Sequence, residues 1–163
     1  PFHFASGNTF TDEIAIQMLN DDRFDLLLMD SKNQTGFHYA CEKGTIRLVE
    51  MMLNDSRFES VLNGKDVEGN TPFHLACKNR NYEIGLILLN DERIDVSQIN
   101  YHGETPLHIC CSKGKKQLLE EMLLDKRFDE FLNKKNIDGI TPLYYGCLNK
   151  DHRIVEILLK DGR

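Results

Sequence analysis

The side chains best suited to chemistry are histidines and cysteines that recur in register. His38-x-x-Cys41, His74-x-x-Cys77 and His108-x-x-Cys111 have the look of metal half-sites, with His3 and Cys147 extending the series at either end. Zinc needs about four such ligands converging within roughly 2.0–2.3 Å of one ion. The chain's five cysteines also raise disulfides and a reactive thiolate. A second recurring set is an acid, a variable residue, Arg, an apolar residue and another acid. It spans Asp21–Asp25, Asp55–Glu59, Asp91–Asp95 and Asp125–Asp129, and Asp161-Gly162-Arg163 begins a fifth. Such a set could form a catalytic acid pair or a ligand-binding arginine. Lys113-Gly114-Lys115-Lys116 is the only basic cluster, and Glu120 and Glu121 follow it. No phosphate-cradling glycine loop, Ser-His-Asp set or nucleotide fingerprint is present.

Whether these residues can meet depends on the elements that carry them, and those elements repeat. Thr71-Pro72-Phe73-His74 recurs as Thr105-Pro106-Leu107-His108 and as Thr141-Pro142-Leu143-Tyr144, with weaker copies at Thr35-Gly36-Phe37-His38 and Pro1-Phe2-His3. The period is 34 to 36 residues. Thr before Pro marks a helix start, because the hydroxyl accepts an orphan N–H and Pro has none to waste. Phe73, Leu75, Ala76 and Cys77 give a short first helix, and Ile84, Leu86, Ile87, Leu88 and Leu89 a second at helical spacing. Breaks fall at Gly44 and Gly114, with Arg80 and Lys150 in the same place elsewhere. The connecting loops end on Gly69, Gly103 and Gly139, which suit tight turns with positive φ; Asn33 stands in the first loop. From Arg57 to Asn63 and from Arg127 to Asn133 the loop is two residues longer than in its neighbours, which creates a 70-residue period. This pattern points to duplication of a two-repeat unit.

Thr-Pro-Leu-His-x-x-Cys, a helix pair, and a loop ending in Asp-Gly or Glu-Gly together resemble the ankyrin repeat across essentially the whole chain. The resemblance implies an all-α solenoid of stacked antiparallel helix pairs with β-hairpin finger loops. It divides a single domain into repeats of about 1–34, 35–70, 71–104, 105–140 and 141–163, the first and last truncated. A repeat of this kind cannot bury its apolar face alone, so neighbours must stack. The departure from the family pattern is Asp-x-Arg-Phe/Ile-Asp/Glu in place of Gly-Ala-Asp after the second helix. A start at Pro1, inside a copy, is the expectation for a piece of a longer protein.

In such a stack the histidines and cysteines form a ladder. Stacked helices sit roughly 8–10 Å apart, which is too far for equivalent residues to share one ion or to meet the roughly 4.4–6.8 Å Cα spacing of a disulfide. In the family this His caps the first helix. No metal and no cofactor are therefore expected. The cysteines read as small buried core residues, which favours a reducing compartment such as cytosol or nucleus; a secreted effector delivered into a host cell fits the same reasoning. In the Asp-x-Arg set, Arg is expected to satisfy carbonyls at a helix C-terminus, and Phe24, Phe58, Ile94 and Phe128 to pack under the loops. Apolar residues at the ends, Phe2 and Phe4, and Ile154, Ile157 and Leu158, are expected to be exposed. A net charge of −6, from 20 basic and 26 acidic residues, argues against a nucleic-acid partner. No apolar run reaches the roughly 18 residues of a membrane span. A monomer is expected.

What remains is recognition of another protein, without catalysis. The resemblance implies fingertips at Ser31, Lys32 and Gln34; Val67, Glu68 and Asn70; Tyr101, His102 and Glu104; and Ile137, Asp138 and Ile140. It implies a palm of Glu42 and Lys43, Lys78 and Asn79, Ser112 and Lys113, and Leu148 and Asn149. Large apolar residues at water-facing turn tips are out of place, and exposed apolar clusters often mark contacts. The expected binding centre is therefore in the C-terminal half: Val67, Tyr101, His102, Glu104, Lys113, Ile137, Asp138, Ile140 and Leu148. The alternatives are a spacer or scaffold segment of a longer array, or the targeting domain of a larger enzyme or effector.

Overall fold

The computed structural model describes residues 2–6, 12–149 and 152–162. Expectations placed on Pro1, the Phe4 side chain, Lys150 and Arg163 lie outside the described residues. The chain forms five helix pairs: α1 (Phe2–Ser6) with α2 (Asp12–Leu19), α3 (Gly36–Lys43) with α4 (Ile46–Leu53), α5 (Pro72–Lys78) with α6 (Tyr82–Leu89), α7 (Pro106–Lys113) with α8 (Lys116–Leu124), and α9 (Pro142–Leu148) with α10 (His152–Asp161). First helices pack on first helices and second on second, each on its successor. A single apolar core runs unbroken from Phe2 to Ile154.

The helix starts follow from three residues. Thr35, Thr71 and Thr105 are N-caps, and their own N–H groups donate to Nδ1 of His38, His74 and His108 at 3.1, 3.2 and 3.2 Å. A ring nitrogen that accepts carries no proton, so the proton sits on Nε2. That N–H donates to the carbonyls of Gly64, Glu104 and Ile140, in the loop that leads to the next repeat, at 3.1, 3.2 and 3.2 Å. Each histidine thus caps its own helix and ties it to its neighbour. In the fifth pair Tyr144 takes the histidine's place, and only the threonine half of the cap remains, with the Tyr144 N–H on Thr141 Oγ1 at 3.3 Å.

The second helices are joined by arginine. Arg57, Arg93 and Arg127 donate from Nη2 to the carbonyls of Leu19, Leu53 and Leu89 at 2.6, 2.8 and 2.6 Å. These carbonyls belong to the last residues of α2, α4 and α6, so each arginine caps the second helix of the repeat before its own. Asp55, Asp91 and Asp125 hold the same guanidinium groups at 2.5, 2.6 and 2.6 Å. Asp-x-Arg is therefore a structural clamp.

The two longer loops coil into short 3₁₀ helices, Ser56–Val61 and Lys126–Phe131, which bury Phe58 and Phe128. The shorter loop after α6 buries Ile94 instead. The first loop departs from expectation: Phe24 is 40% exposed, and Leu26 fills the space below. Two end residues also turn inward. Phe2 is buried because its ring lies over Gly36, 2.4 Å from where a Cβ would stand, and near the Phe58 ring. Ile154 is fully buried against the α9 side, and Ile157 and Leu158 are half-buried. The end face of α10 instead exposes Leu159.

Two measurements test this. Burial lowers the pKa of all three histidines, that of His74 to about 4. The unfolded chain, near 6.5, takes protons first, so stability is full above pH 6.5 and falls as pH drops toward 4, by about 1.4 kcal/mol per pH unit for each histidine that must stay neutral. The melting temperature should fall by several degrees from pH 7 to pH 5, and His74→Gln should flatten that slope by about a third. In hydrogen exchange, protection should be slowest to decay in residues 72–125, and α10, with one fully buried side chain, should exchange before α2.

Candidate partner-binding face

The fingers are tight turns, and no strand occurs among the described residues. Each is built on one acid or amide, at Asp30, Asp66, Asn100 and Asn136. In the third, Asn100 Oδ1 accepts the N–H groups of His102 and Glu104 at 3.0 and 2.9 Å. The other three repeat this pattern. These residues were not singled out from the sequence, yet each stands five positions before the capping threonine, a signal as regular as the Thr-Pro motif. Asn33, Gly69, Gly103 and Gly139 complete the turns at φ 56, 78, 70 and 75°.

The fingers are tied to one another. The N–H groups of Val67, Tyr101 and Ile137 donate to the carbonyls of Lys32, Glu68 and His102 at 2.9, 2.9 and 3.0 Å. Each finger is also closed within itself, by the N–H groups of Asp30, Asp66, Asn100 and Asn136 on the carbonyls of Gln34, Asn70, Glu104 and Ile140 at 3.0, 3.0, 3.0 and 2.9 Å. The bonds between fingers bring each tip against the preceding glycine: a Cβ on Gly69 would stand 2.7 Å from Tyr101 N and 2.8 Å from its ring, and one on Gly103 would stand 3.0 Å from Ile137 N. Tip side chains therefore shield the preceding turn, a structural reason for bulk at positions where water alone would give none.

Much of their surface stays open. Val67, Tyr101 and Ile137 are 50, 65 and 68% exposed, and Leu148 on the palm is 63% exposed. His102, Asp138 and Lys113 are exposed as well, and Ile140 is half-buried. Glu104 faces inward: its carboxylate accepts the Tyr145 hydroxyl at 2.7 Å and the Asn100 amide at 3.0 Å. Two residues expected on the surface are buried. Asn70 accepts from the Asn100 amide, and Asn79 donates to the Cys41 carbonyl at 2.9 Å, capping the preceding first helix. Asn149 makes the same contact to Cys111.

Cys41, Cys77, Cys110 and Cys111 are buried, but Cys147 is exposed, because no described first helix packs on the far side of α9. Burial pushes the buried thiols up, that of Cys111 to about 12, so they are protonated and poorly nucleophilic. Both ring nitrogens of His38, His74 and His108 are engaged with protein groups. Among the described residues no three His, Cys, Asp or Glu side chains group as metal ligands, and no helix is long and apolar enough to cross a membrane.

The fingertip geometry ranks three substitutions. Gly69→Ala and Gly103→Ala meet both the left-handed backbone and the next finger, whereas Gly139→Ala meets only the first, having nothing within 4 Å. Gly139→Ala should cost about 1 kcal/mol, and Gly69→Ala clearly more, read as denaturation midpoints; equal losses would mean the fingers are not bonded to one another.

Residues 2–100 and 92–163 each match the family model for ankyrin repeats in three copies. No curated protein matches the chain. With nearly the whole length matched, and with the capped helix pairs and turn loops of that repeat in place, the chain belongs to the ankyrin repeat family.

Proposed function

We propose that the chain is a non-catalytic recognition module that docks another protein on the fingertips of its C-terminal half. Ankyrin repeats are generally protein–protein interaction modules, which supports the class of function. The observation that carries the location is the row Val67, Tyr101 and Ile137: large apolar side chains, half or more exposed, on turns whose backbones are bonded from one finger to the next. A side chain presented from a fixed backbone loses little freedom on binding, which favours affinity. His102 and Asp138 give this row a polar rim, and Lys113 and Leu148 extend it toward the palm. Glu104 acts from inside, by fixing the Asn100 turn and Tyr145. A reducing compartment fits the free thiols.

The test is affinity capture from candidate cell extracts, followed by titration of the captured protein. Tyr101→Ala with Ile137→Ala should weaken its binding by about tenfold or more. Leu124→Ala, which trims an apolar residue 78% exposed on α8, is the control and should leave affinity unchanged. Weakening by the control alone would place the contact on the second helices.

A further inference from the structure

The chain is acidic overall, yet one edge of it is not. The turn between the two helices of a pair carries Lys43 and Arg47 in the second repeat, Lys78 and Arg80 in the third, and Lys113, Lys115 and Lys116 in the fourth. Stacking brings the first two of these turns together around a groove of about 650 Å³, with Lys43, Arg47, Lys78 and Arg80 on its walls and Ile46 among them. It lies at the far end of the first helices from the fingers, where Glu42, Lys43, Lys78 and Asn79 of the palm line it, so it adjoins the palm but is apart from the fingertip row.

The cations there are poorly neutralised. Lys43 pairs with Glu42 at 3.2 Å and Arg47 with Glu13 at 3.3 Å; Lys43, Arg47 and Glu13 are all more than half exposed. Exposed pairs of this kind contribute little and exchange readily. Lys78 and Arg80 have no ion pair among the described residues. The positive field continues along the edge, where Arg80 and Lys113 both act on Lys115. Two eight-residue helices, α4 and α6, begin at the groove and direct the positive ends of their dipoles toward it. Lysine and arginine stems, with Ile46, supply apolar wall between the charges.

We propose that this groove binds an acidic, extended segment of a partner protein. Cation pairs on adjacent repeats are separated by one helix spacing, roughly 8–10 Å. A polyproline-II segment advances about 3.1 Å per residue with three residues per turn, so carboxylates three residues apart share one face and meet successive pairs. Apolar residues between them lie against Ile46 and the side-chain stems. Nucleic acid is the poorer occupant, because the chain's net charge of −6 opposes a long polyanion.

The probe is a fluorescent extended peptide with Glu at every third position and Pro and Leu between, titrated by polarisation at low and high salt. Binding should occur, weaken with salt, and fall about tenfold or more in Lys78→Gln with Arg80→Gln. Lys78→Glu with Arg80→Glu should abolish it, and Tyr101→Ala should leave it intact. Circular dichroism and melting of each variant separate lost binding from lost fold. No binding of this peptide, equal binding of one with Lys in place of Glu, or indifference to both double variants would overturn the proposal. So would tighter binding of single-stranded polynucleotide at the same residues, or a dimer in sedimentation that the double variants dissociate, which would make a second copy the occupant.

Discussion

A helix of seven or eight residues leaves most of its N–H and carbonyl groups without a partner inside the helix. In this chain the neighbouring repeat finishes many of them. Arg57, Arg93 and Arg127 reach back to the last carbonyls of α2, α4 and α6. Asn79 and Asn149 reach back to α3 and α7. His38, His74 and His108 reach forward into the next loop. Burial of apolar surface supplies the driving force for stacking, but these polar contacts set its register, since each needs one residue of one repeat opposite one residue of the next.

The same residues looked like chemistry in the sequence. His-x-x-Cys and Asp-x-Arg-Phe-Asp have the composition of metal and catalytic sites, and what removes that meaning is spacing, because a stack holds equivalent residues apart. The capping threonines, the glycine turns and the alternation of loop lengths were legible because each repeats several times at fixed intervals. Phe24 and Phe2 were not. Whether an apolar residue packs inward depends on what stands opposite it, and Leu26 and Gly36 decide those two cases without a periodic signature. Asn70 and Asn79 fell on positions where the repeat has open surface, and only three-dimensional contact reveals that their amides are spent on neighbouring turns and helix ends. Asp30, Asp66, Asn100 and Asn136 were legible in principle, being as regular as the threonines.

The geometry divides the molecule into edges with different physical character. The finger edge is rigid and apolar at its tips, held by bonds that run from finger to finger. The opposite edge, at the inter-helix turns, is basic and grooved. Between them the first helices offer few free polar groups, because His, Thr and Asn are consumed in holding the stack together. Surface available to a partner is therefore concentrated at the two ends of the first helices.

The longer loops carry one more contact. Asn63 donates its amide to the Arg93 carbonyl at 2.8 Å and accepts the Asp95 N–H at 2.8 Å, so a long loop grips the short loop that follows it. Asn79, in the short-loop repeat, grips the first helix of the long-loop repeat before it. The interlock is handed, long to short and short to long, and a copy removed or inserted singly would set two like partners face to face. The grain of these asparagine clasps is therefore two repeats: a step of 70 residues keeps each with its mate, whereas the arginine clasps recur at every repeat and keep theirs in steps of one.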